Sequence, residues 1–291
     1  MLTEQHRAPR TTIPEPLRIA SPRPWNEVRD TVDRQGTALL YTTLDDCPAA
    51  PLGTAGLRRL LGGDLDRYES LGRPGLRRRF TASRVLLKEA ASAVLRVPAE
   101  SIELAYEPGG RPYLRDYDQV DISLSHTDDV LLVGITTRGL IGVDVERTER
   151  PMYGFGLDRK ICTPHELGLL EQLPAERRNA ELVRLWTLKE AYSKAVGQGL
   201  RLRFTEVEFS VGREEGRVLH PDGQVDADSE WISRTFVLKE GYRVGVVVQD
   251  AGGGTLAERA ADDLFNAGLT SWLMSAEQGP TTPPPPERQR G

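Results

Sequence analysis

Residues 141–146 read Ile-Gly-Val-Asp-Val-Glu, an alternation of apolar and polar residues that predicts a β-strand. Because side chains on a strand alternate between its two faces, Asp144 and Glu146 share one face, about 7 Å apart along the backbone. Two carboxylates at that separation repel each other unless a cation lies between them, and their hard oxygens suit Mg²⁺. The stretch therefore predicts a strand that carries either a magnesium site or a solvated acidic face.

A second informative stretch runs from Trp186 to Lys194 and reads Trp-Thr-Leu-Lys-Glu-Ala-Tyr-Ser-Lys, within a helix predicted over residues 179–196. Trp186, Glu190 and Lys194 are spaced four residues apart, so they lie along one face of that helix, and Lys189 flanks them. One carboxylate between cations suits a phosphate-bearing substrate and a metal. The alternative is a surface ion pair between Glu190 and Lys194, worth roughly 0.2–0.5 kcal/mol.

Ser125 and His126 follow a predicted strand directly. Adjacent strand residues face opposite ways, and the chain has no Gly-x-Ser-x-Gly elbow, so the two are not a nucleophile and its base. A hydroxyl and an imidazole at a strand end can instead bind a phosphate. The alternative is a turn residue followed by a partly buried histidine.

A run of basic residues extends from Arg67 to Lys88, with seven arginines or lysines and one acid, Glu69. Such a patch attracts an anionic ligand. Nucleic acid is disfavoured because no aromatic interleaving or recognition motif accompanies the run. For any single arginine, the alternative is a solvated helix face.

The order of the predicted elements indicates an α+β fold with two similar subdomains and disordered tails. Strands are predicted over residues 37–42, 102–106, 120–124, 130–136, 141–146, 207–211, 231–238 and 242–248, and helices over 81–97, from a capping box at 163–166, and over 179–196. The expected organisation is a flexible proline-rich extension (1–35), an N-terminal subdomain (36–137), a C-terminal subdomain (138–250), and an extension (251–291) with a helix at 256–274 and a disordered proline-rich end.

The composition excludes several classes of protein. Of the 291 residues, 38% are hydrophobic and 28% charged, and no segment approaches the roughly 18 apolar residues of a membrane span. The two cysteines form no Cys-x-x-Cys pair and the four histidines no close pair, which argues against a disulfide framework and a zinc centre and makes a reducing cytoplasm the expected location. A net charge of −5 is unlike the positive coat of a nucleic-acid-binding protein.

The motifs, in this order and spacing, resemble the signature set of the 4′-phosphopantetheinyl transferases, of the single-chain type associated with surfactin synthetase. The resemblance rests on Gly110-Arg111-Pro112, Ile122-Ser-Leu-Ser-His126, Gly142-Val-Asp-Val-Glu146 and Trp186-x-x-Lys-Glu-Ala-x-x-Lys194-x-x-Gly-x-Gly199. It implies two pseudo-symmetric α/β subdomains. It also implies transfer of the phosphopantetheine arm of coenzyme A to a serine of an acyl or peptidyl carrier protein, with adenosine 3′,5′-bisphosphate as by-product.

The resemblance further implies a role for each candidate residue. Asp144, Glu146 and Glu190 would hold Mg²⁺, and either Glu190 or a metal-bound water would take the proton of the carrier serine. Lys194, together with Lys189, would bind the pyrophosphate of coenzyme A. The residues implied for its 3′-phosphate and adenine are Ser125, His126, Arg77, Arg84, Arg111 and Pro112. The nucleophile belongs to the carrier, and the expected protein is a monomer that needs no nucleic acid or membrane.

Residues 147–160 are expected to receive the carrier through Tyr153, Phe155 and Arg150. This loop begins directly after Glu146 and mixes cations with large apolar side chains, a combination that suits an acidic partner. The alternative is that Tyr153 and Phe155 only cover the junction between the subdomains.

Two other functions stay open from the sequence. One is a non-catalytic module that binds coenzyme A or a carrier protein, although the intact acids at 144, 146 and 190 argue against decay. The other is a different Mg²⁺-dependent phosphotransferase, which the lack of a Gly-x-x-x-x-Gly-Lys-Ser/Thr loop disfavours. Glu166 also has two interpretations, as a glutamate shared with the family and as the third residue of the capping box.

Overall fold

The computed structural model describes residues 12–21, 23–47, 53–220, 223–224 and 231–249. The helices are α1 (Trp25–Gln35), α2 (Thr54–Leu61), α3 (Leu65–Ser70), α4 (Pro74–Leu95), α5 (Asp158–Ile161), α6 (Pro164–Gln172) and α7 (Ala175–Ala195). The strands are β1 (Leu17–Arg18), β2 (Thr37–Thr43), β3 (Leu104–Tyr106), β4 (Pro112–Leu114), β5 (Asp121–Thr127), β6 (Val130–Thr136), β7 (Ile141–Arg147), β8 (Glu208–Phe209), β9 (Glu215–Leu219), β10 (Trp231–Val237) and β11 (Tyr242–Gln249). Within these ranges, no helix is long and apolar enough to cross a membrane.

The first sheet has the strand order β1-β2-β6-β5, in which β1 runs parallel to β2 and the other pairs are antiparallel. Helices α1 and α4 pack against it, and Val28 and Leu86 share a core with Leu40 of β2. The neighbours of Leu40 in the strand, Leu39 and Tyr41, face the other way and join a second core, as the two-residue period of a strand requires.

The second sheet has the order β7-β11-β10-β9-β8, and all its strand pairs are antiparallel. Helix α7 crosses this sheet very closely. A Cβ atom at Gly142 of β7 would lie 1.7 Å from the carbonyl oxygen of Ala191, and one at Gly245 of β11 would lie 2.6 Å from the carbonyl carbon of Thr187. Glycine is therefore required at both crossing points, and it brings the backbone of α7 directly onto β7.

Each half of the molecule repeats one topology. A strand is followed by a long helix and a hairpin, and the second strand of the hairpin pairs with the first strand. The first half uses β2, α4 and the β5–β6 hairpin, and the second uses β7, α7 and the β10–β11 hairpin. The repeat confirms the predicted α+β fold with two pseudo-symmetric subdomains, whereas the exact domain limits at 36, 138 and 250 stay predictions.

A polar seam joins β5 of the first sheet to β7 of the second. Four alternate side chains of β5 make its hydrogen bonds. Asp121 accepts from the amide of Ile141 at 2.8 Å, and Ser123 accepts from the amide of Val143 at 3.1 Å. Further along, Ser125 donates to the Asp144 carboxylate and Thr127 donates to the carbonyl of Val145, each at 2.7 Å. The seam thus fixes β7, and with it Asp144, against the first half of the molecule.

The N-terminal segment corrects one prediction. Residues 1–35 were expected to form a flexible extension because of their prolines, but residues 12–21 and 23–35 belong to the fold. Ile19 and Val28 are fully buried in the first core, and Ile13 is buried in the second. Strand β1 pairs with β2, and Arg234 of β10 donates to the carbonyl of Ile13 at 2.7 Å. Pro14 and Pro16 precede β1 and Pro24 is the N-cap of α1, so these prolines interrupt neither element.

Several other helices and strands begin or end at residues other than those predicted. The helix predicted from residue 81 begins at Pro74, and the one predicted from residue 179 begins at Ala175. The strand predicted over residues 207–211 is reduced to Glu208–Phe209. The capping box is confirmed, because Thr163 accepts from the amide of Glu166 while the Glu166 side chain accepts from the amide of Thr163. The helix predicted at 256–274 and the proline-rich end lie outside the described residues.

Candidate active site

The candidate active site begins where α7 lies on β7. Asp144 is only 8% exposed, and its Oδ1 accepts hydrogen bonds at 2.7 Å from both the Ser125 hydroxyl and the Lys194 ammonium group. Lys194 also donates to Ser125 at 3.0 Å and to the carbonyl of Val143 at 3.1 Å. The predicted site residues Asp144 and Lys194 are therefore brought together, across the sheet-to-helix contact that Gly142 permits.

Glu190 lies one helical turn before Lys194 and is partly buried. Burial raises the pKa of its carboxyl group, and the negative charge of Asp144 raises that pKa further, whereas Lys194 and Arg150 act in the opposite direction. Among the described residues, no hydrogen bond or ion pair engages the Glu190 carboxylate. Glu190 is thus a partly desolvated acid within electrostatic range of a second acid.

Glu146, the third predicted acid, is turned toward the following loop. Its Oε1 accepts from the amide of Arg147 at 2.8 Å, and its Oε2 forms an ion pair with Arg150. The guanidinium of Arg150 lies 5.6 Å from the ring centroid of Trp186. Arg150 therefore connects Glu146 to the face of α7 that carries Glu190.

Asp144, Glu146 and Glu190 form an acidic cluster. Two of these three carboxylates are suited to bind a hard cation. Asp144 and Glu190 offer carboxylate oxygens, and the oxygens of Glu190 have no hydrogen-bond donor within the described ranges. Glu146 is paired with Arg150 instead. Within the same ranges, no three His, Cys, Asp or Glu side chains are grouped closely enough to hold a metal ion. The three-carboxylate site therefore stays a prediction.

A cleft of about 340 Å³ opens on the first half of the molecule. Its polar wall contains four basic residues, namely Arg67, Arg79, Arg84 and His126, and its apolar wall includes Leu71, Leu76, Phe80, Tyr106, Pro112 and Leu124. Basic side chains beside aromatic rings suit an anion attached to a flat base. The basic run of the sequence thus supplies one side of a single cleft.

Not every hydrogen-bond donor that lines the cleft has a partner. The Nε atom of Arg79 is buried and has no hydrogen-bond partner among the described residues. Partial desolvation lowers the pKa of His126, and the positive charges of Arg79 and Lys194 lower it further. A buried donor without a partner is costly, so the cleft is suited to an anion that would satisfy Arg79.

The cleft and the acidic cluster adjoin each other. Lys194 and Asp144 both act electrostatically on His126, which lines the cleft. His126 lies next to Ser125, whose hydroxyl bonds to Asp144. The cleft and the acidic cluster are therefore within electrostatic range of each other.

Sequence comparison identifies the family of the chain. A sequence model of the 4′-phosphopantetheinyl transferase superfamily matches residues 140–247, which include β7 and α7. A phosphopantetheinyl transferase from Thraustochytrium sp. is 31% identical over an alignment of 204 residues that covers 64% of this chain and 69% of the relative. The chain belongs to the 4′-phosphopantetheinyl transferase superfamily.

Two other relatives of this superfamily match a shorter part of the chain. The 4′-phosphopantetheinyl transferase HetI from Nostoc sp. is 32% identical over 155 residues, which cover 52% of this chain and 65% of the relative. A protein from Synechocystis sp. is 31% identical over 158 residues, which cover 53% of this chain and 64% of the relative. The chain thus spans just under two thirds of the length of these two relatives.

The structure contradicts the prediction that Lys189 binds the pyrophosphate of coenzyme A. Its ammonium group is fully buried and donates to the Glu166 carboxylate and to the carbonyls of Ile161 and Phe204. Three donors with three acceptors leave none for a pyrophosphate. Lys189 is adjacent to Glu190 but points into the core, because one residue corresponds to about 100° of rotation around a helix. Glu166 is both the capping residue and the counter-ion of Lys189.

Arg111 is also placed differently from its prediction. Its side chain is 9% exposed and donates to the carbonyl of Lys194 at 2.7 Å, to the Asp121 carboxylate at 2.5 Å and to the carbonyl of Ile141 at 3.2 Å. It therefore links the end of α7 to the seam and does not line the cleft. Its neighbour Pro112 does line the cleft, and its contact with adenine stays a prediction.

Ser125 and Arg77, which were expected to contact the 3′-phosphate, also bond to other groups of the protein. Ser125 is bonded to Asp144 and Lys194, on the opposite face of β5 from His126, so the two do not converge on one phosphate. Arg77 donates to the carbonyls of Leu71 and Glu69 and closes the turn before α4. Arg67 and Arg79, from the same basic run, line the cleft instead.

The loop after β7 is held at one end and exposed at its tip. The amides of Met152 and Tyr153 donate to the side chain of Asn179, and Asn179 donates to the carbonyl of Arg150. Tyr153 packs against a third core, in which Leu185 and Leu188 of α7 are buried. Phe155 is 74% exposed. Tyr153 therefore covers a core of the second half rather than the junction between the halves, and Phe155 covers neither.

Several residues of the site carry no sequence signal. Asp64 and Tyr106 contact Arg84 from 20 and 22 positions away, and Phe80 stacks on it. Such partners are set by how α3, α4 and β3 pack, which a local pattern does not reveal.

Proposed function

We propose that the chain transfers the 4′-phosphopantetheine arm of coenzyme A to a serine of an apo acyl or peptidyl carrier protein. The products are the holo carrier and adenosine 3′,5′-bisphosphate. The observation that carries this proposal is that a basic, aromatic cleft lies near an acidic cluster. The charges of Lys194 and Asp144 both act on His126, which lines the cleft. That arrangement suits a ligand with a phosphorylated nucleoside at one end and a pyrophosphate at the other.

In the proposed complex, the cleft binds the nucleoside end of coenzyme A. Arg79 and His126 supply donors for the 3′-phosphate, and Pro112 and Phe80 supply apolar contacts for the base. The ammonium group of Lys194 reaches the pyrophosphate from its position beside Asp144. Asp144, Glu190 and Glu146 would hold Mg²⁺, which would neutralise charge on the pyrophosphate.

The proposed chemistry forms one bond and breaks another. The carrier serine oxygen bonds to the phosphorus next to the pantetheine arm, and the bond from that phosphorus to the bridging oxygen breaks. The serine proton passes to a carboxylate oxygen of Glu190 or to a water beside it. The electron pair of the broken bond leaves with adenosine 3′,5′-bisphosphate. Glu190 is suited to receive the proton because its raised pKa makes it a stronger base than an exposed glutamate.

Mass spectrometry of an apo carrier tests the proposal. The carrier is incubated with the full chain, coenzyme A and Mg²⁺, and the expected result is a phosphopantetheine mass increase that depends on all three. The same carrier with its acceptor serine changed to alanine is the matched control and gains no mass. A chain that binds coenzyme A but leaves every carrier in a panel unmodified would instead be a non-catalytic binding module.

His126→Ala is expected to weaken binding of coenzyme A more than binding of dephospho-coenzyme A. A charge-assisted bond to a phosphate is worth roughly 1.5–3 kcal/mol, and only the 3′-phosphate distinguishes the two ligands. Isothermal titration calorimetry measures both dissociation constants. Equal losses for the two ligands would mean that His126 does not contact the 3′-phosphate.

Phe155→Ala is expected to raise the Michaelis constant for the carrier several-fold and to leave that for coenzyme A unchanged. An exposed aromatic side chain on the loop that follows Glu146 is a typical interface anchor. Tyr153→Ala is the contrasting variant, because Tyr153 is packed and its loss should lower the melting temperature. A lower melting temperature for Phe155→Ala, with both substrates impaired alike, would contradict this docking surface.

Arg150 is a poorer probe of carrier docking than its sequence position suggests. It is paired with Glu146 and acts on Glu190, so Arg150→Glu would disturb the acidic cluster as well as any carrier contact. Salt dependence of the carrier association rate is therefore better measured on the unaltered loop. The proposal also includes a monomer that acts in the cytoplasm, in accord with Cys47 and Cys162, which are both buried and are not joined in a disulfide. Size-exclusion chromatography with light scattering tests whether the chain is a monomer in solution.

A further inference from the structure

A buried carboxylate, Asp64, lies behind the wall of the basic cleft. Its side chain is 6% exposed, and it is not among the residues that line the cleft. Its Oδ2 accepts from the Nε of Arg84 at 2.9 Å, and the hydroxyl of Tyr106 donates to its two oxygens at 2.9 and 2.7 Å. Asp64 therefore contacts two residues of the cleft wall from behind.

Arg84 is held from several sides by this arrangement. Besides its bond to Asp64, it donates from Nη1 to Ser83 at 3.0 Å and from Nη2 to Tyr106 at 2.6 Å. Its guanidinium also lies 3.9 Å from the ring centroid of Phe80. A guanidinium has five N–H donors, so these three bonds leave two for a ligand in the cleft.

We propose that Asp64 is a positioning residue for coenzyme A, which holds Arg84 and Tyr106 so that the two remaining donors of Arg84 meet a phosphate of the ligand. This inference rests on the proposed function, because it takes the cleft as the site of the phosphorylated nucleoside. Asp64 itself touches no ligand. Its contribution is to fix a guanidinium before the ligand arrives, which reduces the ordering that binding requires.

Charge alone predicts the opposite effect of removing Asp64. The carboxylate acts on Arg84 and on the buried Lys88, so its loss makes the cleft wall more positive and should attract an anion more strongly. Positioning predicts weaker binding in spite of that added positive charge. The sign of the change in affinity therefore distinguishes the two accounts.

The test is the dissociation constant of coenzyme A for the full-length chain and its Asp64→Asn variant, measured by calorimetry at one salt concentration. Asparagine keeps the shape of the side chain but removes its charge, and binding is expected to weaken about tenfold. Asp66→Asn is the matched control, because Asp66 is an exposed residue of α3 with the same charge. The control is expected to bind coenzyme A within about twofold of the unaltered chain.

Kinetics separate positioning from partial unfolding. Asp64→Asn is expected to raise the Michaelis constant for coenzyme A and to leave kcat at saturating coenzyme A unchanged, since the reacting atoms lie at the acidic cluster. A fraction of unfolded protein would instead lower kcat and leave the Michaelis constant unchanged. That second pattern, or binding equal to or tighter than that of the unaltered chain, would overturn the proposal.

Tyr106→Phe decides the question if Asp64→Asn does not fold. This variant keeps the ion pair between Asp64 and Arg84 and removes only the bridging hydroxyl, so about threefold weaker binding is expected, and unchanged binding would overturn the proposal. The proposed function fails separately, if the unaltered chain binds coenzyme A but modifies no carrier. An unaltered chain that does not bind coenzyme A would overturn both.

Discussion

Asp144→Ala is expected to reduce phosphopantetheine transfer by about 100- to 1,000-fold at saturating coenzyme A, the loss typical of removing one preorganised electrostatic group. Asp144 is the centre of the acidic cluster, since it holds Lys194 and Ser125 and acts on Glu190. Its removal would free the ammonium group of Lys194 and take away one proposed metal ligand. Initial rates measured by mass spectrometry, over a range of Mg²⁺ concentrations, check this result.

The stability of the same variant provides a second readout. Two neighbouring carboxylates alone would predict that removing one relieves repulsion and raises the melting temperature. The structure predicts a decrease, because the hydrogen bonds to Ser125 and Lys194 are lost, at a cost of about 1–3 kcal/mol. Asp118→Ala, at an exposed aspartate before β5, is the control and should leave both rate and stability unchanged. Transfer by Asp144→Ala at a near-normal rate would rule out this role.

Gly142→Ala is expected to destabilise the fold by about 4 kcal/mol or more and to abolish transfer. The added methyl group would lie 1.7 Å from the carbonyl oxygen of Ala191 and 2.8 Å from the amide nitrogen of Ala195. Both are backbone atoms, so α7 itself must move, and it carries Glu190 and Lys194 away from Asp144. Urea denaturation measures the loss of stability.

Gly168→Ala is the matched control for this substitution. Gly168 lies in α6, and a Cβ atom there meets nothing within 4 Å. Alanine is expected to stabilise that helix by up to about 1 kcal/mol, because glycine is the poorer helix former. If Gly142→Ala instead unfolds at the urea concentration of the unaltered chain, α7 does not pack as closely on β7 as described.

Periodic patterns predicted the elements that carry the site. The alternation in residues 141–146 and the four-residue spacing from Trp186 to Lys194 gave the strand and the helix whose contact brings Asp144 and Lys194 together. The capping box at Thr163 predicted the start of α6. These signals are local, because a strand face, a helix face and a helix cap each depend on residues a few positions apart.

Contacts between distant residues explain what the sequence could not predict. Lys189 was expected to face a phosphate, but Glu166, 23 positions earlier, draws its ammonium group into the core. Arg111 belongs to a motif, yet its partners are the end of α7 and the seam. Residues 12–21 and 23–35 belong to the fold, and β1 pairs with β2, although the prolines of this segment suggested a loose extension. Each of these outcomes depends on tertiary packing, which overrides local composition.

The seam between β5 and β7 has a consequence for which substitutions the chain tolerates. Its donors and acceptors on β5 are side chains, whereas on β7 they are backbone groups at three of the four contacts. Every residue type has a backbone carbonyl, and every type except proline has a backbone N–H. A mutational scan should therefore show a different pattern of tolerance on each strand. Intolerance should alternate along β5, where a short polar side chain is needed at every second position. Among the seam contacts of β7, the requirement for a particular polar side chain should fall on Asp144 alone.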